Sequence, residues 1–168
     1  REAFARPPRA GVLVISDSVA AGKKEDTAGK AIADRLKSEG LEVAAYEVVA
    51  DEPDRIVEVL TRWADVEGYA LILTTGGTGL SRRDRTPETM ARVFEREAPG
   101  IAEAARAYGQ QRTPWAMLSR GRAGLRGGTL IVNLPGSRRG AAETLDALFP
   151  GLLHALRIAR TSGGGHKE

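Results

Sequence analysis

Ala70-Leu71-Ile72-Leu73-Thr74-Thr75-Gly76-Gly77-Thr78-Gly79 is the stretch on which the reading of this chain turns. It begins as a short apolar run and ends in glycine. A continuous apolar run of strand length, without alternation, predicts a strand buried on both faces. The loop that follows extends from Gly76 to Arg85. Thr86-Pro87-Glu88 then opens a helix, with Thr86 as the expected cap and Pro87 in the first turn. A strand, a glycine loop and a helix in succession make one unit of an α/β fold.

The same alternation continues on both sides. Residues 11–15 (Gly-Val-Leu-Val-Ile) form a second short apolar run and predict a buried parallel strand. Ala28, Ala31, Ile32 and Leu36 recur at helical spacing, so 27–39 predicts a helix. Asp26 or Thr27 can cap it and Gly40 can close it. A strand is expected over 41–49. A helix should start at Pro53, with Ile56, Val57, Leu60 and Trp63 along one face. Residues 99–108 predict a helix, and 116–118 and 129–133 predict strands. Pro135-Gly136-Ser137 makes a turn into a long apolar-periodic helix that reaches about Ala159 and is interrupted near Pro150. Strands alternating with helices predict a three-layer α/β/α sandwich around a mostly parallel sheet. The 168 residues suit a single domain. Its expected extent is 10–160, with 1–9 and 161–168 as flexible tails.

Composition removes several kinds of chemistry. The absence of cysteine excludes disulfides, iron–sulfur clusters, thiolate zinc sites and cysteine nucleophiles. With only His154 and His166 present, a histidine metal cage or a Ser–His–Asp triad is improbable. Catalysis must rest on carboxylates, arginine, lysine, hydroxyls and backbone amides. No stretch approaches the roughly 20 apolar residues of a membrane span. The polar N-terminal residues lack the apolar core of a signal peptide. The expected location is the cytoplasm, with no membrane partner. The net charge is only +3, but Arg82, Arg83, Arg85, Arg120, Arg122, Arg126, Arg138 and Arg139 all fall in connections. Loop arginines suit phosphate recognition; a solvated surface is the simpler alternative. Nucleic-acid binding is disfavoured, because aromatic residues make up only 5% of the chain and no recognition helix is evident.

Ligands of open α/β sheets bind outside the carboxyl ends of the strands. The loops after Ile15, Val49, Leu73 and Asn133 are therefore the place to look for function. Thr75, Gly76, Gly77, Thr78 and Gly79 lack the lysine of a P-loop and the third glycine of the dinucleotide fingerprint. Successive amides in such a loop can still cradle an anion. On this reading a β-branched residue at Gly77 or Gly79 weakens ligand binding more than folding. Asp84, among arginines, should stay ionised and could hold Mg²⁺, orient a substrate or pair with a neighbour. Asp51 precedes a proline-started helix, so it is either an N-cap or a second carboxylate facing the same site. Two carboxylates beside a phosphate loop would suit Mg²⁺ and phosphoryl or nucleotidyl transfer. Ser119 and Arg120 offer a hydroxyl and a cation. Asn133, Pro135, Gly136 and Ser137 lead into a helix N-terminus that could contact an anion.

In their order and spacing, several of these segments resemble the molybdopterin adenylyltransferases, the MogA/MoaB family, and especially the G domain of gephyrin and its plant counterpart. The resemblance spans about 11–158. It rests on Ile15-Ser16-Asp17-Ser18 through Gly22, Val49 through Glu52, Thr74 through Gly79, and Arg83 through Glu88. Pro99-Gly100, Ala116 through Arg120, and Asn133 through Gly136 complete it. Ala50 stands where many members have proline, and Ser137 where others have Asn or Gln. The resemblance implies one mixed sheet between helices, a homotrimer, and transfer of AMP from ATP to molybdopterin with release of pyrophosphate. A hand-over to a metal-insertion protein of the MoeA kind would follow. By motif match, Asp51 and Asp84 are the functional, Mg²⁺-holding aspartates. Ser16, Asp17 and the Gly76–Gly79 loop are ligand contacts, and Ser119 and Arg120 lie on the pterin side. A non-catalytic molybdopterin-binding scaffold would keep the loop and the arginines but need neither aspartate.

Overall fold

The computed structural model describes residues 4–160. The expected tail at 161–168, with His166, and the first three residues lie outside the described residues. β1 (Arg9–Ile15) leads through the short helix α1 (Asp17–Ala20) to α2 (Ala28–Ser38), β2 (Glu42–Val49) and α3 (Pro53–Thr61). A π-turn (Arg62–Val66) precedes β3 (Leu71–Thr75), then α4 (Thr86–Met90), β4 (Arg96–Glu97) and α5 (Pro99–Gln110). After a 3-10 turn (Ala116–Leu118) come β5 (Ala123–Arg126), β6 (Thr129–Leu134), α6 (Arg138–Leu148) and α7 (Gly151–Ala159).

The six strands lie in the order β2-β1-β3-β6-β5-β4. β1 runs parallel to β2 and β3, and β3 parallel to β6, while β5 runs antiparallel to both β6 and β4. The sheet is mixed and mostly parallel, as expected. Alternate residues feed two cores. Val12, Val14, Leu71, Leu73, Leu130 and Val132 pack under α2, α6 and α7. Leu13, Ile15, Ile72 and Ile131 pack under α3, the π-turn with Trp63, and α4. That is why the central strands read as unbroken apolar runs. Phe4 also packs, partly buried, against the first of these cores.

Two local expectations change, and one left open between Asp26 and Thr27 is resolved. Ala116–Leu118 is a 3-10 turn, not a strand. The turn is set by α5, because a Cβ on Gly109 would lie 2.9 Å from Ala116 Cβ. Thr86 does not cap α4 but is its first residue; the cap position is Arg85, with no side-chain cap bond. At the start of α2 the capping acceptor is Asp26, whose Oδ1 accepts from the Gly29 N–H at 2.9 Å.

The chain leaves β1 for β2 on one side under α2, then returns beneath α3 to β3 on the other side. The connections diverge between β1 and β3, and ligands of open α/β sheets settle in the crevice at such a point.

Candidate active site

The glycine loop after β3 occupies that crevice. Gly76 and Gly77 have φ values of +102° and +69°, a region open to glycine and strained for other residues. Space forbids a side chain as well. A Cβ on Gly76 would lie 2.0 Å from Ile15 O, and one on Gly77 would lie 2.2 Å from Thr86 Oγ1. The loop is tied to the end of β6 and to the segment before β5. Gly76 N–H donates to Leu134 O at 3.1 Å, and Thr75 Oγ1 donates to Pro135 O at 2.6 Å. Arg120 N–H donates to Thr78 O at 2.8 Å. The Arg120 guanidinium then donates to Gly79 O at 2.8 Å and Asp84 O at 2.7 Å and pairs with Glu88. Its donors therefore shape the loop directly.

Asp51 lies at the floor of the site with 4% of its surface exposed. It is not the cap of α3, which is Glu52 by position, with no side-chain cap bond. Its Oδ2 accepts a long 3.5 Å bond from the Arg85 N–H, and its buried Oδ1 has no partner. Desolvation raises its pKa above the ordinary carboxylate value. The Arg85 amide opposes that rise, and the charges of Asp17 and Asp84 add to it. Asp17 is half exposed. Arg83 grips it with a fork at 2.7 and 3.0 Å, and it accepts from the Asp51 N–H at 3.0 Å. The Arg83 bonds, then the Asp51 amide, lower the Asp17 pKa to about 2. Asp84 Oδ2 accepts from the Ser81 N–H at 3.2 Å, and the Asp84 carboxylate has no ion pair among the described residues.

Asp17, Asp51, Asp84, Gly76, Gly77 and Ser16 line one polar cleft of about 550 Å³. Thr75, Gly136, Ser137, Lys24, Arg83 and Arg138 line it as well. Most loop arginines are engaged with acids: Arg83 with Asp17 and Glu52, Arg122 with Glu97, Arg126 with Asp65, and Arg139 with Glu143. The plain surface alternative therefore holds for those pairs outside the cleft. Arg138 and Lys24 make no ion pair or hydrogen bond among the described residues. They are the cations left for an anionic ligand. Lys24 was not anticipated, since nothing in its local sequence says that its loop folds over β1. Ser137 Oγ caps α6 by accepting from the Gly140 N–H at 3.0 Å, and Ser16 Oγ caps α1 by accepting from the Val19 N–H at 3.2 Å. The Ser137 hydroxyl keeps a proton to donate into the cleft, whereas the Ser16 hydroxyl also shares a 3.2 Å hydrogen bond with Ser18 Oγ.

A second cleft of about 450 Å³ lies across the Pro135–Ser137 turn and is mostly apolar. Ser119, Asn133, Pro135 and Ser137 line it. The side chain of Asn133 holds the fold together, donating to Thr74 Oγ1 at 3.1 Å and accepting from the Arg122 N–H at 3.1 Å. Gly79, Thr78 and Arg120 do not line either cleft but set the loop between them.

The donor set suits Mg²⁺. Asp51 Oδ1 is a buried carboxyl oxygen without a partner, and Asp84 offers an unpaired carboxylate in the same cleft. Hard carboxylate oxygens are what Mg²⁺ takes, and it completes its shell with water and phosphate. No group of three or more metal-binding side chains converges among the described residues.

A glycine loop and three aspartates in one polar cleft at the sheet's switch point define an α/β protein with a candidate ligand site there. Comparison with known proteins makes the class particular. Residues 11–154 match the family described as the probable molybdopterin binding domain, and the chain belongs to that family. It is 42% identical over 150 residues to the molybdopterin adenylyltransferase of Helicobacter pylori strain J99, covering 88% of this chain and 85% of that one. It is 40% identical to the molybdenum cofactor biosynthesis bifunctional protein of Chlorobaculum tepidum, over 95% of this chain and 50% of that one. The chain spans about half the length of the bifunctional relatives it matches. The crystal structure of the molybdopterin biosynthesis enzyme MoaB from Thermus thermophilus superposes with a TM-score of 0.86 at 53% identity, covering 90% of this chain and 96% of that one. No described helix is long and apolar enough to cross a membrane.

Proposed function

We propose that this chain transfers AMP from ATP to the terminal phosphate of molybdopterin, giving adenylyl-molybdopterin and pyrophosphate. The observation that carries this reading is the buried, partnerless Asp51 Oδ1 in one cleft with Asp84 and the glycine loop. A structural aspartate would have its oxygens satisfied. The curated relative from Helicobacter pylori bears the name of this activity.

In the reaction, a molybdopterin phosphate oxygen attacks the α-phosphorus of ATP in line. One P–O bond forms, the α–β bridging bond breaks, and its electrons leave with pyrophosphate. Such chemistry is mostly positioning and charge stabilisation. The attacking oxygen is already anionic, so no general base is required. Loop amides at Gly76–Gly79, Lys24 and Arg138 offset negative charge on the phosphates. Ser16, Ser137 and Asp17 fix the ligand's position along the cleft wall. Arg120 and Asn133 act by holding the loop and the strand end in place, and Ser119 by facing the apolar cleft. Asp51 and Asp84 would hold Mg²⁺, which supplies charge neutralisation at the phosphates. A homotrimer, a cytoplasmic location and hand-over of the product to a metal-insertion protein of the MoeA kind belong to the same proposal. Light scattering tests the trimer. The apolar residues of α6 and α7 are mostly buried within one chain, including Leu145, Leu152, Leu153 and Leu156.

The test is incubation of the protein with molybdopterin, ATP and Mg²⁺. Adenylated pterin and stoichiometric pyrophosphate are expected. Tight molybdopterin binding without either product would establish the scaffold reading instead.

A further inference from the structure

The chain has two tryptophans, and they behave oppositely. Trp63 is buried under the sheet, whereas Trp115 is 70% exposed. Met117 and Leu118 beside it are exposed as well, and apolar side chains exposed together mark a surface that binds something. The segment that carries Trp115 is firmly held. Gln110 Oε1 accepts from the Met117 N–H at 3.0 Å, and Gln110 Nε2 donates to Pro114 O at 3.3 Å. Arg106 Nη1 donates to Ser119 O at 3.3 Å and Gly121 O at 2.9 Å. Ala116 packs against Gly109 of α5 so closely that no side chain fits there. The ring is thus presented on a pinned turn, and it lines the mouth of the apolar cleft with Pro114, Ile101, Ala105 and Val132.

That cleft has the size and lining of a small-molecule site. It meets the polar cleft at Ser137, which lines both. A ligand with an anionic end and a flat ring would span the two. We propose that Trp115 is the stacking platform for the fused nitrogen-heteroaromatic ring of a substrate whose phosphates lie in the polar cleft. This rests on the adenylyl-transfer reading, whose two substrates each carry such a ring, adenine or pterin. Flat heteroaromatic rings stack on tryptophan at low entropic cost when the platform is already rigid. Phenylalanine should largely replace tryptophan here, and alanine should not.

The experiment measures binding of ATP and of neopterin by calorimetry for the wild type, Trp115→Ala and Trp115→Phe, with KM and kcat for ATP and molybdopterin alongside. One ring should lose affinity by about 10- to 100-fold in Trp115→Ala and stay within a few-fold in Trp115→Phe. KM for that substrate should rise by the same factor with kcat unchanged, the signature of lost binding rather than lost chemistry. Which of the two substrates responds identifies the ring. Because the side chain is exposed, neither variant should melt early. Unchanged affinities and KM values in Trp115→Ala would overturn the proposal while leaving adenylyl transfer standing. A change confined to association state, seen by light scattering, would overturn it too and assign Trp115 to a subunit contact. Ring binding that depends on Trp115 in a protein without turnover would sustain the platform and sink the adenylyl-transfer reading.

Discussion

Replacing Asp51 with asparagine removes one charge from the most deeply placed carboxylate of the site and leaves its shape intact. In the native chain Oδ1 is buried without a partner, and Oδ2 has only the 3.5 Å bond from Arg85 N–H. Burial raises the Asp51 pKa, and a carboxyl with a raised folded pKa opposes folding wherever it is ionised. The sign follows directly. The penalty is absent below the unfolded pKa of about 4, grows as pH rises towards the folded pKa, and is complete above it. An unpaired buried polar atom costs about 1–3 kcal/mol. Asparagine keeps an acceptor for Arg85 but leaves its own N–H group poorly satisfied, so it recovers only part, about 1 kcal/mol. For a chain of this size that is a Tm increase of about 2–4 °C at neutral pH, fading below about pH 4. Turnover should fall by about 10²-fold or more, as when other preorganised charge-stabilising groups are removed. Mg²⁺ should raise the wild-type Tm and leave the variant unmoved. Melting curves across pH, with and without Mg²⁺, and pyrophosphate release supply all the readouts. A variant that melts below the wild type at pH 7, or that turns over at a near-normal rate, would refute the reasoning.

The remaining expectations concern the loop and its surroundings. Gly77→Val should unfold the domain or lower its Tm steeply, because both φ and Thr86 Oγ1 exclude a side chain; this corrects the reading in which Gly77 affects binding more than folding. Gly79→Ala faces only Asp84 Oδ2 at 2.9 Å, so calorimetry should show weakened ATP binding with a small change in Tm. Arg120→Lys should cost about 1–3 kcal/mol, since a lysine cannot replace the bonds to Gly79 O and Asp84 O together; wild-type denaturant stability in this variant would argue against the clamp. Arg83→Ala should return the Asp17 pKa from about 2 towards its ordinary range, as followed by carboxyl NMR titration. Because the Asp17 pKa is depressed in the fold, the Arg83 pair stabilises above about pH 4 and is lost as pH falls through the folded value. Its exposed setting keeps that contribution small, because solvent screens the pair.

What the sequence revealed followed burial. Ala70 through Leu73 and Val12 through Ile15 are apolar because helices cover both faces of those strands, so local composition recorded a tertiary fact. β5 left no such mark. Ala123–Arg126 is short and contains glycine, and it is a strand because β6 pairs with it. Ala116–Leu118 misled for the converse reason, since three apolar residues carry no period. The glycine loop and Asp51 could be singled out as candidates because each follows its strand end closely, and Asp84 because it lies at the far end of the same loop. The apolar cleft was not, for Ile101, Trp115, Val132 and Thr144 come from separate elements and share no spacing. Loop arginines looked available for phosphate because their acids lie far off in sequence, as with Arg126 and Asp65, 61 positions apart.

The cross-tying of the glycine loop has a dynamic consequence. Gly76 N–H is bonded to the end of β6, and Gly76 itself rests against the carbonyl that ends β1. Its amide hydrogen should therefore exchange with solvent as slowly as those of the central strands, on the clock of global unfolding rather than of loop fraying. A substrate then meets a loop that is already set before it arrives.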